Sequence, residues 1–236
     1  MERRKVIYSR FNDNDAALNS RFQIDSLSKE WIEKRIDIFY HYTRKSFELQ
    51  TNQEFLAVLR THPSSIDLVK SALKNYPKIN DNIIFTSTPK EDIKKYILGA
   101  DEFYLAQIDS DDMYHPGYMQ LLTEFNPKPE TSVIICQNGY IYDIHTKQLC
   151  QFNNISSAVY AQRFLVLDYL NTYQYFPELS HVTMYRFPYE AFPKGNFMII
   201  THNTNTHTNV NPYTRFEITD SGMKEAILKE FHISEP

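Results

Sequence analysis

The chain has 236 residues, 25 Lys+Arg against 29 Asp+Glu, a net charge of −4 and 14% aromatic residues. That length suits one core of α/β size, and the charge balance excludes a globally basic nucleic-acid surface. With 5 glycines and no GxGxxG or GxxxxGK[ST] run, a glycine-rich phosphate loop is excluded too, so any phosphate must be met by a cation, by Arg or Lys, or by a helix N-terminus.

In chain order, residues 5–11 read as a first strand centred on Val6, Ile7 and Tyr8 and ending in Arg10-Phe11-Asn12. Asp25 or Ser28 is placed to cap a helix carrying Ile32, Ile36, Phe39 and Phe47 at near-helical spacing, although the short aromatic run 36–42 also fits a strand. Residues 55–59 predict a strand, 66–73 a short helix, 82–85 a strand, and 89–98 a helix leading through Gly99 into the next strand. That strand, 103–108, is apolar and aromatic and ends in Asp109-Ser110-Asp111-Asp112, three carboxylates within four residues. Pro116 then opens a helix with Tyr118, Leu121, Leu122 and Phe125 on one face. The alternation over 5–125 predicts a mostly parallel, layered sheet.

After Pro129 the pattern changes. Residues 132–152 predict two antiparallel strands turning at His145-Thr146-Lys147, and 164–169 a further strand. Residues 197–201 predict a last strand that empties into His202, and 221–231 an amphipathic helix with Ala226, Ile227 and Phe231 inward. Cys136 and Cys150 have no metal-ligand spacing and suit a reducing compartment. The first residues carry no long apolar core and no run is long enough to span a bilayer, so a soluble cytoplasmic protein of one domain, 1–236, is expected.

A strand that delivers clustered carboxylates to its C-terminal end places them where open α/β sheets bind ligands. Three like charges so close repel one another, and a divalent cation relieves that. His202, at a strand end in a polar loop, would add a nitrogen ligand to the carboxylates of Asp109 and Asp111, a mixed set suited to Mn²⁺. Arg10, after the first strand, is placed to reach the base, ribose or diphosphate of a nucleotide. Asp81, before the third strand, is a weaker nucleotide contact, and His207 is a second candidate histidine.

The acidic cluster resembles the Asp-X-Asp motif of glycosyltransferases with the GT-A fold. A wider set of segments resembles the bacterial putative rhamnosyltransferase family: SRFN at 9–12, Trp31 with Arg35 and Phe39, SFELQ at 46–50, DSDD at 109–112 and FMIITHNTN at 197–205. Asn203 stands where that family's late turn has glycine. The resemblance implies a GT-A-like, Rossmann-like central sheet, mostly parallel and flanked by helices, with a mixed or antiparallel C-terminal part. Residues 1–125 would bind nucleotide and 126–236 the acceptor. It implies metal-dependent (Mn²⁺ or Mg²⁺) transfer of a hexose, rhamnose among the candidates, from a nucleotide-diphosphate donor to a glycan or other hydroxyl acceptor. Asp109 would lie near the nucleotide and the cation, and Asp111 would hold the cation. Asp112 would serve as catalytic base, as a helix cap or as a support for Asp111. Glu178, His181 and Tyr185 fall where acceptor-binding residues lie in such enzymes. The alternatives are a metal-dependent phosphoesterase or nucleotidyltransferase, and a non-catalytic carbohydrate-binding protein on the same fold.

Overall fold

Strand β1 (Arg3–Asn12) is buried without interruption from Lys5 to Ser9, the pattern of a strand covered on both faces. The computed structural model describes residues 2–12, 25–172, 181–193, 195–203, 205 and 210–234. Around β1 lie β2 (Leu56–Thr61), β3 (Ile83–Thr86), β4 (Glu102–Gln107), β6 (Val133–Ile135), β9 (Tyr160–Leu165) and β10 (Tyr189–Ala191). They form a seven-stranded sheet in the order β10-β6-β9-β4-β1-β2-β3. β9 runs antiparallel to β4 and β6, and every other pairing in this sheet is parallel. Strand β4 is the central one, as the buried run before the acidic cluster predicts.

Helices cover both faces. On one, Ile7, Ala57, Leu59, Tyr104 and Ala106 pack against α1 (Lys29–His41), α2 (Thr43–Glu48), α3 (Ile66–Leu73) and α5 (Tyr118–Glu124). On the other, Val6, Tyr8, Val58, Phe103 and Leu105 meet Ile93 and Ile97 of α4 (Pro89–Ile97) and Val166 and Tyr169 of α6 (Val166–Thr172). The alternation of strand side chains between the two clusters is the period-two pleat. Helix α1 starts at Ser28, whose side chain accepts the Trp31 N–H, so the ambiguous run 36–42 is mostly helical. Helix α4 ends as Gly99 takes φ +90°, a backbone setting that favours glycine and turns the chain into β4.

A second sheet, in the order β5-β11-β7-β8, is built from β5 (Met113–Tyr114), β7 (Asn138–Asp143), β8 (Leu149–Asn153) and β11 (Phe197–Thr201). It is mixed: β11 runs parallel to β7 and antiparallel to β5. Its outer face packs on α7 (Ser221–Glu230) through Ile227, Leu228 and Phe231. Gly139 lets β7 approach β11, since a Cβ there would come within 2.6 Å of the Phe197 ring.

Three sequence expectations change. The stretch 132–152 holds three strands, not two: β6 joins the large sheet, while β7 and β8 form the hairpin, with Lys147 at φ 61° in its turn. The run 164–169 is split between β9 and α6: the β9 ladder with β4 closes with Val166 N–H on the carbonyl of Asp101, and helix α6 begins at the same residue. On α7 the inward residues are Ile227 and Leu228, with Phe231 just beyond, while Ala226 is exposed.

Candidate functional site

The chain runs from β1 outward to β2 and β3, then returns to lay β4 on the other side of β1. The topological switch point therefore lies between β1 and β4, where open α/β sheets leave a crevice beyond their carboxyl ends. Arg10 and Asp109 flank it, both exposed. The register pairs Tyr8 with Gln107, and its continuation brings Asp109 level with Arg10. Tyr160, across from Gln107 on β9, donates its hydroxyl to the Gln107 side chain. Burial pushes that phenol up, with Arg10 pulling it down and Asp109 pushing it up, so both charges act on one buried hydroxyl.

The three carboxylates of the cluster have different surroundings. Asp112 N–H closes a turn on the Asp109 carbonyl at 3.1 Å, so the chain reverses within the motif and moves from the first sheet to the second. Asp111 points inward and its side chain is only 7% exposed. Its Oδ2 accepts Arg35 Nη1 at 2.6 Å and Asn205 Nδ2 at 3.1 Å, and lies 3.0 Å from His202 Nε2. Burial drives the Asp111 carboxyl up, but Arg35 and His202 together outweigh it and hold the group below the usual carboxylate range. Arg35 also donates Nε to Ser110 Oγ at 3.1 Å and lies over the Trp31 ring, 5.7 Å from its centroid.

Asp112 is turned to the second sheet. Its Oδ1 accepts the Ile200 N–H at 3.0 Å. Strand β5 is two residues long and pairs with β11 only at Phe197 and Met198, so the Asp112 side chain takes up the next N–H along that edge. Burial, and then Asp111 and Asp109, push its carboxyl well above the usual range. Through its bond to the Ile200 N–H, Asp112 ties the two sheets together. Two residues beyond Ile200, the tie carries His202 to Asp111. Asn205 completes the loop by accepting the His202 N–H and donating to Asp111.

Helix α2 supports the segment that follows. Ser46 Oγ accepts the Tyr114 N–H at 3.3 Å. Gln50 donates to the His115 carbonyl at 2.9 Å and accepts the Met119 N–H at 2.9 Å. The SFELQ segment thus braces the chain leaving the acidic cluster, a role that no local pattern in it announces.

Other expected site residues fall elsewhere. Asp81 precedes β3, and because β3 runs parallel to β1 its start lies at the edge opposite the carboxyl ends. There Asp81 is 87% exposed and paired with Lys78 at 2.6 Å. Tyr185 sits exposed in a 3₁₀ segment, His181–Arg186, which packs on β6 through Met184. Glu178 and His207 lie outside the described residues, and of His181 only the backbone is described. Sequence reasoning gave Arg35 no chemical role. Its signal was an arginine beside the apolar stripe Ile32, Ile36, Phe39 of α1.

Among the described residues no group of three or more His, Cys, Asp or Glu gathers as a ligand set, so Asp109 does not join Asp111 and His202 in one cage. Asp111 Oδ2 and His202 Nε2 lie at hydrogen-bond distance, 3.0 Å, and one carboxylate with one imidazole is a donor set of the mixed oxygen and nitrogen kind that Mn²⁺ takes. Such a cation would draw its other ligands from phosphate and water, the usual habit of Mg²⁺ at nucleotides. No helix among the described residues is long and apolar enough to cross a membrane.

No protein-family model matches the chain, and no curated protein matches its sequence. Among solved structures, S. aureus TarS 1–349 is similar at 13% identity and TM-score 0.44, over 98% of this chain and 70% of that one. TarS 1–349 in complex with UDP gives 12% identity and TM-score 0.44 over the same shares. The inositol-1-phosphate CTP transferase from T. maritima gives 10% identity and TM-score 0.34, over 100% of this chain and 98% of that one.

Proposed function

We propose that the chain is a glycosyltransferase that moves a sugar from a nucleotide-diphosphate donor to a hydroxyl acceptor. The observation that carries this reading is the junction itself. The switch point between β1 and β4 is flanked by Arg10 and Asp109, and one turn further the ionised Asp111 meets His202 from the second sheet. The nucleotide lies along the carboxyl ends of β1 and β4, with the guanidinium of Arg10 on the diphosphate, where planar bidentate contacts are strong. Asp111 and His202 would hold Mn²⁺ or Mg²⁺. When bound, that cation supplies positive charge to the leaving diphosphate. Asp109 meets the nucleotide at the mouth of the crevice. Asp112 acts through β11, as a positioning residue. The acceptor approaches from the side of the second sheet, in the part of the chain after 126.

The test is a panel of nucleotide-diphosphate sugars, each incubated with the protein and Mn²⁺ or Mg²⁺, with released nucleoside diphosphate as the readout. The reading expects slow release from one donor class, lost in Arg10→Ala and Asp109→Asn. Turnover of a nucleoside triphosphate with pyrophosphate release would replace it with nucleotidyl transfer. Binding of free sugars with no nucleotide effect would make the chain a carbohydrate-binding protein.

A further inference from the structure

The oxygen a cation would need is already engaged by a cation of the protein's own. Arg35 Nη1 lies 2.6 Å from Asp111 Oδ2, the same atom that faces His202 Nε2 at 3.0 Å. The guanidinium does not depend on Asp111 alone for its place. It is 12% exposed, donates to Ser110 Oγ and lies over Trp31, whose ring meets Phe11 of β1 edge-on at 6.0 Å. A divalent ion seated on Oδ2 would stand a few ångströms from this fixed positive charge inside a poorly hydrated site, where like charges repel strongly.

We propose that Arg35 is an internal competitor for the cation site, so that a divalent cation binds there well only together with a diphosphate. This rests on the reading of the junction as a nucleotide-diphosphate site. A diphosphate adds negative charge next to both cations and offers the guanidinium a second anionic partner. It thereby turns Arg35 from a rival of the metal into a partner of the same ligand. Cation and nucleotide then raise each other's affinity by one common factor, as linkage requires. The consequence is selectivity. Phosphate-free sugars and nucleosides, which bring no such charge, do not load the metal.

The experiment measures free Mn²⁺ by electron paramagnetic resonance at pH 8 in the parent, Arg35→Gln and Arg35→Lys, with and without UDP, GDP or CDP. The parent binds Mn²⁺ alone weakly, and a nucleoside diphosphate tightens it at least about tenfold while the matching nucleoside does not. Arg35→Gln keeps a donor for Ser110 and Asp111 but loses the charge. It binds Mn²⁺ alone at least about tenfold more tightly than the parent and shows little further gain from the nucleotide. Arg35→Lys keeps the charge and stays weak. If folded Arg35→Gln binds Mn²⁺ no better than the parent, the competition is refuted. If no nucleotide affects any protein while Arg35→Gln still gains Mn²⁺ affinity, the competition stands and the nucleotide reading falls. Should Arg35→Gln fail to fold, the parent decides: Mn²⁺ affinity indifferent to every diphosphate overturns the proposal.

Discussion

The two sheets are held in place by different means. In the seven-stranded sheet the strands are sandwiched between helices, and apolar side chains such as Ile7 and Phe103 are fully buried on opposite faces. The four-stranded sheet has its own apolar face around Met198 and Ile200. Its other face, with Ile141, Phe197 and Ile199, shares the core of the large sheet, and beyond that core polar atoms fix the end that meets β4: Asp112 on the Ile200 N–H, and Asp111 with His202 and Asn205. Apolar packing is non-directional and tolerates small shifts, whereas hydrogen bonds fix atoms to a few tenths of an ångström. The candidate site therefore lies where packing gives way to directional ties. Its geometry can be disturbed without dissolving the fold.

The largest expected effect comes from breaking the first region. Phe39→Ala removes a fully buried ring between α1 and the large sheet and costs about 3–5 kcal/mol. Denaturant unfolding would show the whole chain losing stability in one transition. A local effect confined to α1 would mean that the large sheet does not depend on that face.

Next is the tie. Asp112→Ala strands a buried backbone donor at Ile200, a loss of about 1–3 kcal/mol, while Asp112→Asn keeps an acceptor and costs less. Amide exchange should quicken at Ile200 and toward His202 and leave β1 and β4 protected. A role as general base removes that difference in an activity assay, with Asp112→Asn as damaging as Asp112→Ala, and that result would place Asp112 in the chemistry.

The smallest effect concerns the β7–β8 turn, which meets β11 at Thr201. The Asp143 carboxylate accepts the N–H groups of His145 and Thr146 and the Thr201 hydroxyl at 2.8–2.9 Å. Burial raises its carboxyl, but these bonds outweigh that and hold it below the usual value. Its contribution to stability is thus complete above the unfolded value of about 3.9 and fades as pH falls through the lower folded value. Acid below about pH 3.9 should loosen the β7–β8 turn, and Asp143→Asn should flatten that acid limb. Identical acid unfolding of parent and variant would show that these bonds contribute nothing.

The same contrast decides what the sequence reveals. The order of elements from β1 to α5 is written in local signals, among them Ser28 before α1, Gly99 after α4 and the apolar run that becomes β4. The second sheet pairs residues far apart, Met113 with Met198 and Tyr140 with Met198, and β5 is too short to carry a pattern of its own. At the site, Asp111 and His202 were legible as candidates because each follows an apolar strand. Their meeting was expected from the late polar loop, and the two do lie 3.0 Å apart; the part that Arg35 plays there was not legible, since a charged residue on a helix looks solvated until its partner is known. Asp81 misled because a residue before a strand and one after it lie at opposite edges of a parallel sheet.

On the proposed reading, Asp111 is the anionic anchor of a nucleotide-diphosphate site. Titration calorimetry of nucleoside diphosphates with Mn²⁺, on the parent and on Asp111→Asn, puts that role to the test. The amide keeps the shape but removes the charge that faces Arg35 and His202, so some stability is lost and melting curves must show the variant folded at the working temperature. The parent should bind a diphosphate in a metal-dependent way, and folded Asp111→Asn should lose that dependence. Unchanged metal-dependent binding in the variant would contradict it, leaving Asp111 as an internal counter-charge for Arg35.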